Sequence, residues 1–267
     1  MESLRVSVRR WRGLLFLAPL VWLFSIGLAH ADDRFDIVGL RLGMTPEQAR
    51  QALLTHGVEE ARIVEQRGAF TYSDGMESLQ TKDFVRKISG GLRAFVDGKE
   101  RSDSLVVHFS PPPEGGRVVA IWRLIENQAD PLTGDEFRNA LVGKYGEPLE
   151  RDAHALRWLF GPGSQNCAGG YGYTEKTSMV RSVYRSAGNR IYLDQFNNRK
   201  VKSLDDCANT LQYTVRALSD RPAKWVEAIM VDVQGAVKAE QAANAWVASL
   251  AAEAVARRKG QGKGPKL

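Results

Sequence analysis

The chain has 267 residues, with 37 Lys and Arg against 31 Asp and Glu, 43% hydrophobic residues, 10 Pro and 2 Cys. Those values exclude a disordered chain, a collagen-like repeat and a disulfide-dense miniprotein. The length suffices for one large domain or two modest ones, each able to bury a core.

The first 31 residues read as an address. Arg5, Arg9, Arg10 and Arg12 stand against a single acid, Glu2, and residues 13–29 are apolar throughout. Ala29 and Ala31 then place small residues at the two positions a signal peptidase inspects. Charged start, apolar stretch and A-x-A site together describe a secretory signal peptide cut after Ala31. The expected localisation is therefore bacterial and periplasmic or secreted, with retention of the segment as an uncleaved anchor as the rival reading. The cleavage region has no Cys, so no lipid anchor is expected.

Removing this segment takes away four of the bases and one acid, leaving a net charge of +3 on residues 32–267. Two stretches carry more than their share: 175–202 has a net +5, and so has the tail 257–267, so the rest sums to −7. Charge segregated in this way points to local anionic partners, whereas general nucleic-acid binding calls for a uniformly basic chain. Another envelope protein or an anionic envelope polymer is the expected partner, and no nucleic acid and no cofactor are expected.

Taken in order, the mature chain opens with a short strand candidate at 35–42. A helix follows from Met44: Thr45 and Gln48 form a capping box, Pro46 suits the first helical position, and Gly57 provides a left-handed stop. Residues 73–100 are ambiguous, because Phe84, Val85, Ile88, Leu92 and Phe95 fit a helix or a loose strand and Gly90-Gly91 interrupts either. Residues 104–110 and 117–125 flank Pro111–Gly116 as an antiparallel hairpin. A second capped helix then begins at Leu132, with Thr133 and Glu136 as its box and Gly146 as its stop. This segment repeats the first, 88 residues on, and implies a duplicated unit.

Further strands are expected at 154–160, 178–185, 190–196, 210–218 and 226–233. In 210–218, Leu211, Tyr213, Val215 and Ala217 alternate with Gln212, Thr214 and Arg216, the pattern of a half-buried strand. An Ala-rich helix closes the chain at about 236–258, followed by a basic disordered tail at 259–267. The fold class is therefore α+β: two consecutive helix-plus-antiparallel-strand units packed together, with a C-terminal helix and the helices on one sheet face. The expected divisions are 1–31, 32–126, 127–258 and 259–267.

Leu42-Gly43-Met44-Thr45-Pro46-Glu47-Gln48-Ala49 resembles the helix entry of BamE/SmpA-type outer-membrane assembly lipoproteins, and Lys144-Tyr145-Gly146-Glu147-Pro148 resembles the exit from such helices. The β-lactamase-inhibitor proteins share the helix-then-strands unit in tandem. The resemblance implies an envelope protein-binding scaffold without catalytic residues. The chain departs from the lipoproteins in lacking their lipid-bearing Cys.

Two cysteines in an exported chain pair, so Cys167 and Cys207 are expected to form a disulfide. The three mature histidines have structural readings: His56 at a helix C-terminus, His108 within a strand and His154 in a turn. No pair of them has metal-ligand spacing, and no metal is expected. The candidate binding site is the basic hairpin inside the disulfide, where Arg181, Arg185, Arg190 and Arg199 interleave with Tyr184 and Tyr192. Arginine forks and aromatic rings dominate interface energies. The expected function is an exported, non-catalytic protein-interaction module of the bacterial envelope. The alternatives are an envelope hydrolase acting on cell-wall material, or a soluble inhibitor of another enzyme.

Overall fold

A computed structural model describes residues 34–96, 98–128, 130–152, 154–167 and 203–261. Among these residues the elements run α1 (Pro46–Thr55), β1 (Val64–Gly68), β2 (Thr71–Ser73), β3 (Ser78–Gln80), β4 (Phe84–Val96), β5 (Lys99–Phe109), β6 (Val118–Glu126), α2 (Gly134–Tyr145), β7 (Glu150–Arg151), β8 (Ala155–Phe160), β9 (Asn209–Val215), β10 (Trp225–Val231) and α3 (Val233–Gln261). Eight strands form one sheet in the order β1-β4-β5-β6-β10-β9-β8-β7, antiparallel at every junction, and β2 and β3 form a separate hairpin. The fold is α+β, with a large antiparallel sheet and a C-terminal helix.

Both helix starts follow the capping chemistry expected of them. The Gln48 N–H donates to the Thr45 hydroxyl at 3.2 Å while the Thr45 N–H donates to Gln48 Oε1 at 2.9 Å, and Thr133 with Glu136 repeats the exchange. Gly146 ends α2 at a φ of 82°, a backbone state closed to most side chains. Ala49 and Leu53 of α1, with Leu141 and Tyr145 of α2, are buried in one core cluster against Leu105, Val107, Ile121, Tyr213 and Met230 of the sheet.

The opposite sheet face has its own core. Val106, Trp122, Ile229 and Val231 cluster there with Val233, Ala236 and Val237 of α3 and with Cys167 and Cys207. The helices thus divide between the two faces, a correction to the one-faced expectation. Strands buried on both sides, with Val106 turned one way and Leu105 and Val107 the other, need cover on both. The C-terminal helix also extends further than expected, from Val233 to Gln261, so residues 259–261 belong to it and not to a tail. Its far half packs on the β2–β3 hairpin: Trp246 meets Phe70 edge-on, and Arg258 donates to Asp74 at 2.7 Å.

Two local expectations are corrected, and the open choice between helix and strand within 73–100 is settled for 84–96. Residues 35–42 form a tight reversal, with Val38 and Gly39 at positive φ, the Asp36 carboxylate accepting from the Gly39 N–H, and Ile37 bridging Leu40. Residues 84–96 are a strand with Gly90-Gly91 inside it, because a Cβ at Gly91 would stand 2.6 Å from the Asp103 carbonyl oxygen. Strand β9 stops at Val215 and is buried on both faces: Gln212 is 1% exposed and Thr214 6%. Its polar side is satisfied laterally, with Arg157 Nε and Nη2 donating to Gln212 Oε1 at 3.1 and 2.8 Å and Gln212 Nε2 donating to Thr214.

Candidate functional site

The residues of the expected basic hairpin, Arg181, Tyr184, Arg185, Arg190, Tyr192 and Arg199, lie outside the described residues, as do Ala29 and Ala31 of the expected cleavage site. The disulfide Cys167–Cys207 is formed, with both cysteines fully buried. His154 sits in a turn, its N–H donating to Asp152 Oδ1 at 2.7 Å. His108 is half-buried on β5, where burial and the Lys87 charge lower its imidazole to about 4. Three pairs of adjacent acids, Glu59-Glu60, Asp135-Glu136 and Asp205-Asp206, serve structure. Asp135 meets Arg138 at 3.2 Å, Asp205 meets Lys238 at 2.8 Å, Glu60 pairs with Arg50, and Asp206 caps a short 3₁₀ turn (Leu204–Asp206) by accepting from the Ser203 N–H.

His56 belongs to a polar cluster on the α1–α2 face. Asp103 of β5 accepts two bonds from Arg123 of β6, at 2.8 Å from Nε and 2.7 Å from Nη2, and His56 Nε2 lies 2.9 Å from its Oδ2. Burial pushes the Asp103 carboxyl up, but the Arg123 guanidinium and His56 outweigh it and hold it at about 2. Beside them the Tyr145 hydroxyl donates to the Asp36 carbonyl at 2.6 Å and sits 3.1 Å from the Tyr213 hydroxyl. Burial raises both phenols, so they remain neutral donors. The cluster ties α1 and α2 to the sheet and uses its charges in doing so.

On the other face, a cavity of about 490 Å³ opens over β4, β5 and β6. Ser104, Val106 and Trp122 line it together with Gly90-Gly91, and Arg62 and Arg93 stand at its wall. The Trp122 indole is fixed by donating to Glu227 Oε1 at 2.8 Å. Gly91 lets the β4 and β5 backbones lie close, since a Cβ there would stand 2.6 Å from the Asp103 carbonyl oxygen, and the two arginines give the cavity positive charge. None of the described residues lining it is acidic. The sequence reading missed this site. The signal was Gly90-Gly91, since glycine inside an apolar strand marks close backbone approach as often as a break.

Glu240 of α3 is half-buried, and its Oε2 has no hydrogen-bond partner among the described residues. Burial pushes its carboxyl up to about 7. The folded chain therefore holds a proton that the unfolded chain releases. This contribution is fully present below the unfolded value and lost as pH rises through the folded one. Glu240→Gln is expected to raise stability by about 1–2 kcal/mol near pH 8, a figure reduced from the full shift because the group is partly solvated, and to change little near pH 4. Urea denaturation at the two pH values checks this, and an equal gain at both would refute it.

Among the described residues, no helix is long and apolar enough to cross a membrane. What fold and site define is an α+β protein with an arginine-walled cavity on its antiparallel sheet. No family model, curated protein or solved structure matches the chain.

Proposed function

We propose that the chain is an exported, non-catalytic interaction module of the bacterial cell envelope, whose partner is another envelope protein. The observation that carries this reading is the cavity on the second sheet face, with its Val106 and Trp122 floor and its Arg62 and Arg93 wall. An apolar floor with a few placed polar groups is the make-up of a recognition site, and the volume accommodates a few side chains. The arginine-rich start, apolar stretch and small-residue site of residues 1–31 support export.

The finer architecture belongs to the same reading. Each capped helix is followed by four strands of the sheet, and the strand order runs inward from both edges to meet at β6 and β10. This supports two related units, 32–126 and 127–258, in line with the resemblance to tandem envelope scaffolds. The test is site-specific photo-crosslinking in cells that produce the full chain, with the crosslinker at Ser104 in the cavity and, as a control, at Glu253 on α3. One protein adduct from Ser104 and none from Glu253, on a chain whose mature N-terminus is Asp32, is the expected result. A chain retained with Met1 inside the cell, or no protein adduct from Ser104, would overturn the proposal.

A further inference from the structure

In an antiparallel ladder, successive residues turn their backbone groups alternately toward one neighbouring strand and the other. Val96 and Lys99 pair at the β4–β5 turn, so counting back along β4, Phe95, Arg93 and Gly91 turn their N–H and C=O away from β5. Strand β1 occupies that outer side only as far as Ser89, opposite Val64. Upstream of Val64 the chain leaves the edge through a 3₁₀ turn at Glu60–Arg62. Among the described residues, no strand lies beside Gly91–Phe95. We infer that this stretch of the β4 edge is a strand-addition site for an extended, acidic segment of the partner protein, an inference that rests on the interaction-module reading.

Three observations select that occupant. The edge adjoins the cavity, since Gly91 and Arg93 are both part of its lining. An added strand pairs its backbone with β4 and sends alternate side chains over the floor of Val106 and Trp122. Arg62 and Arg93 stand where a carboxylate on that strand would lie, and their present partners hold them weakly: Glu59 at 3.4 Å and Glu100 at 3.6 Å, both at the surface. Arg93 also disfavours a second copy of the chain, because antiparallel self-pairing centred on it sets two guanidiniums opposite each other. The edge carries no proline and ends in Phe95, which is 77% exposed, so apart from Arg93 it lacks the devices that blunt free strands. The fitting segment has an acidic and an apolar residue two positions apart, on the same side of an extended strand.

A phage-displayed random dodecapeptide library selected on the full chain supplies the probe, and the enriched peptides are titrated by calorimetry. The expected consensus is an acid and an apolar residue at that spacing, and the bound peptide should slow amide exchange at Gly91, Arg93 and Phe95. Arg93→Pro removes an N–H that no strand of the described chain uses, so the fold should stand while peptide binding weakens by about tenfold or more. Arg93→Glu keeps the N–H and reverses the charge, and should weaken the acidic peptides likewise, which covers the case of a proline variant that misfolds. No enriched peptide, equal binding to the variants, or protection away from these amides would overturn the inference. If the Ser104 crosslink persists in such a case, the module reading stands and only the strand-addition mode falls.

Discussion

Asp103→Asn is expected to destabilise the protein by about 3 kcal/mol at neutral pH, since it leaves the Arg123 guanidinium without its charge partner in a largely buried setting. Asp103, His56 and Arg123 have side chains only 12%, 18% and 14% exposed, so water replaces little of what is lost. At this chain length the cost corresponds to a melting temperature lower by roughly 6–12 °C. The pH dependence separates an electrostatic role from simple packing. The folded carboxyl is held at about 2, against an ordinary value of 3.8. Its contribution is therefore complete above the ordinary value and lost as pH falls through the folded one. Wild type and variant should converge in urea denaturation between about pH 4 and pH 2. A gap that stays constant across that range would mean that shape, and not charge, is what Asp103 supplies.

The parts of this fold legible in the sequence were those whose signal is local. Thr45-Pro46-Glu47-Gln48 and Thr133 with Glu136 state their helix starts in four residues, because the chemistry that caps an amide lies within one turn of it. The hairpin around Pro111–Gly116 and the strands β8 to β10 were legible from apolar runs between turn residues. Strand β1 was not, since at the sheet edge it is mostly exposed and polar and carries no period to read. The two-sided burial of β9 was hidden for a different reason. Gln212 and Thr214 look like a solvent face in sequence, and only Arg157, 55 residues away from Gln212, makes them an interior one. Asp103 gave no hint of its partners for the same reason, because they come from β6 and from the end of α1. The cavity was recorded in sequence only as Gly90-Gly91, and whether glycine breaks a strand or lets another backbone approach is decided by the neighbour, here Asp103 on β5.

Replacing both cysteines, as Cys167→Ala with Cys207→Ala, is expected to cost about 4 kcal/mol, the larger of the two effects argued here. The cysteines are 40 positions apart, and the cross-link removes the entropy that this loop would otherwise have in the unfolded chain. The native neighbourhood is held by other bonds as well. The Ser164 and Gln165 N–H groups donate to the Asp206 carbonyl, and Gln234 Nε2 donates to the Cys207 carbonyl at 2.7 Å. The native fold should therefore survive the substitution, with the loss appearing in the unfolded state. Comparing the double variant with reduced wild type separates the contributions, since reduction frees the loop and leaves both sulfurs in the core. If loop entropy dominates, the two should unfold at nearly the same urea concentration, well below oxidised wild type. If the double variant is weaker still by more than about 1 kcal/mol, the sulfur packing against Val231 and Ala236 carries the remainder. Neither cysteine is accessible in the folded chain, so iodoacetamide should label both only after reduction in denaturant. Labelling of the native, unreduced protein would show that the pair is open.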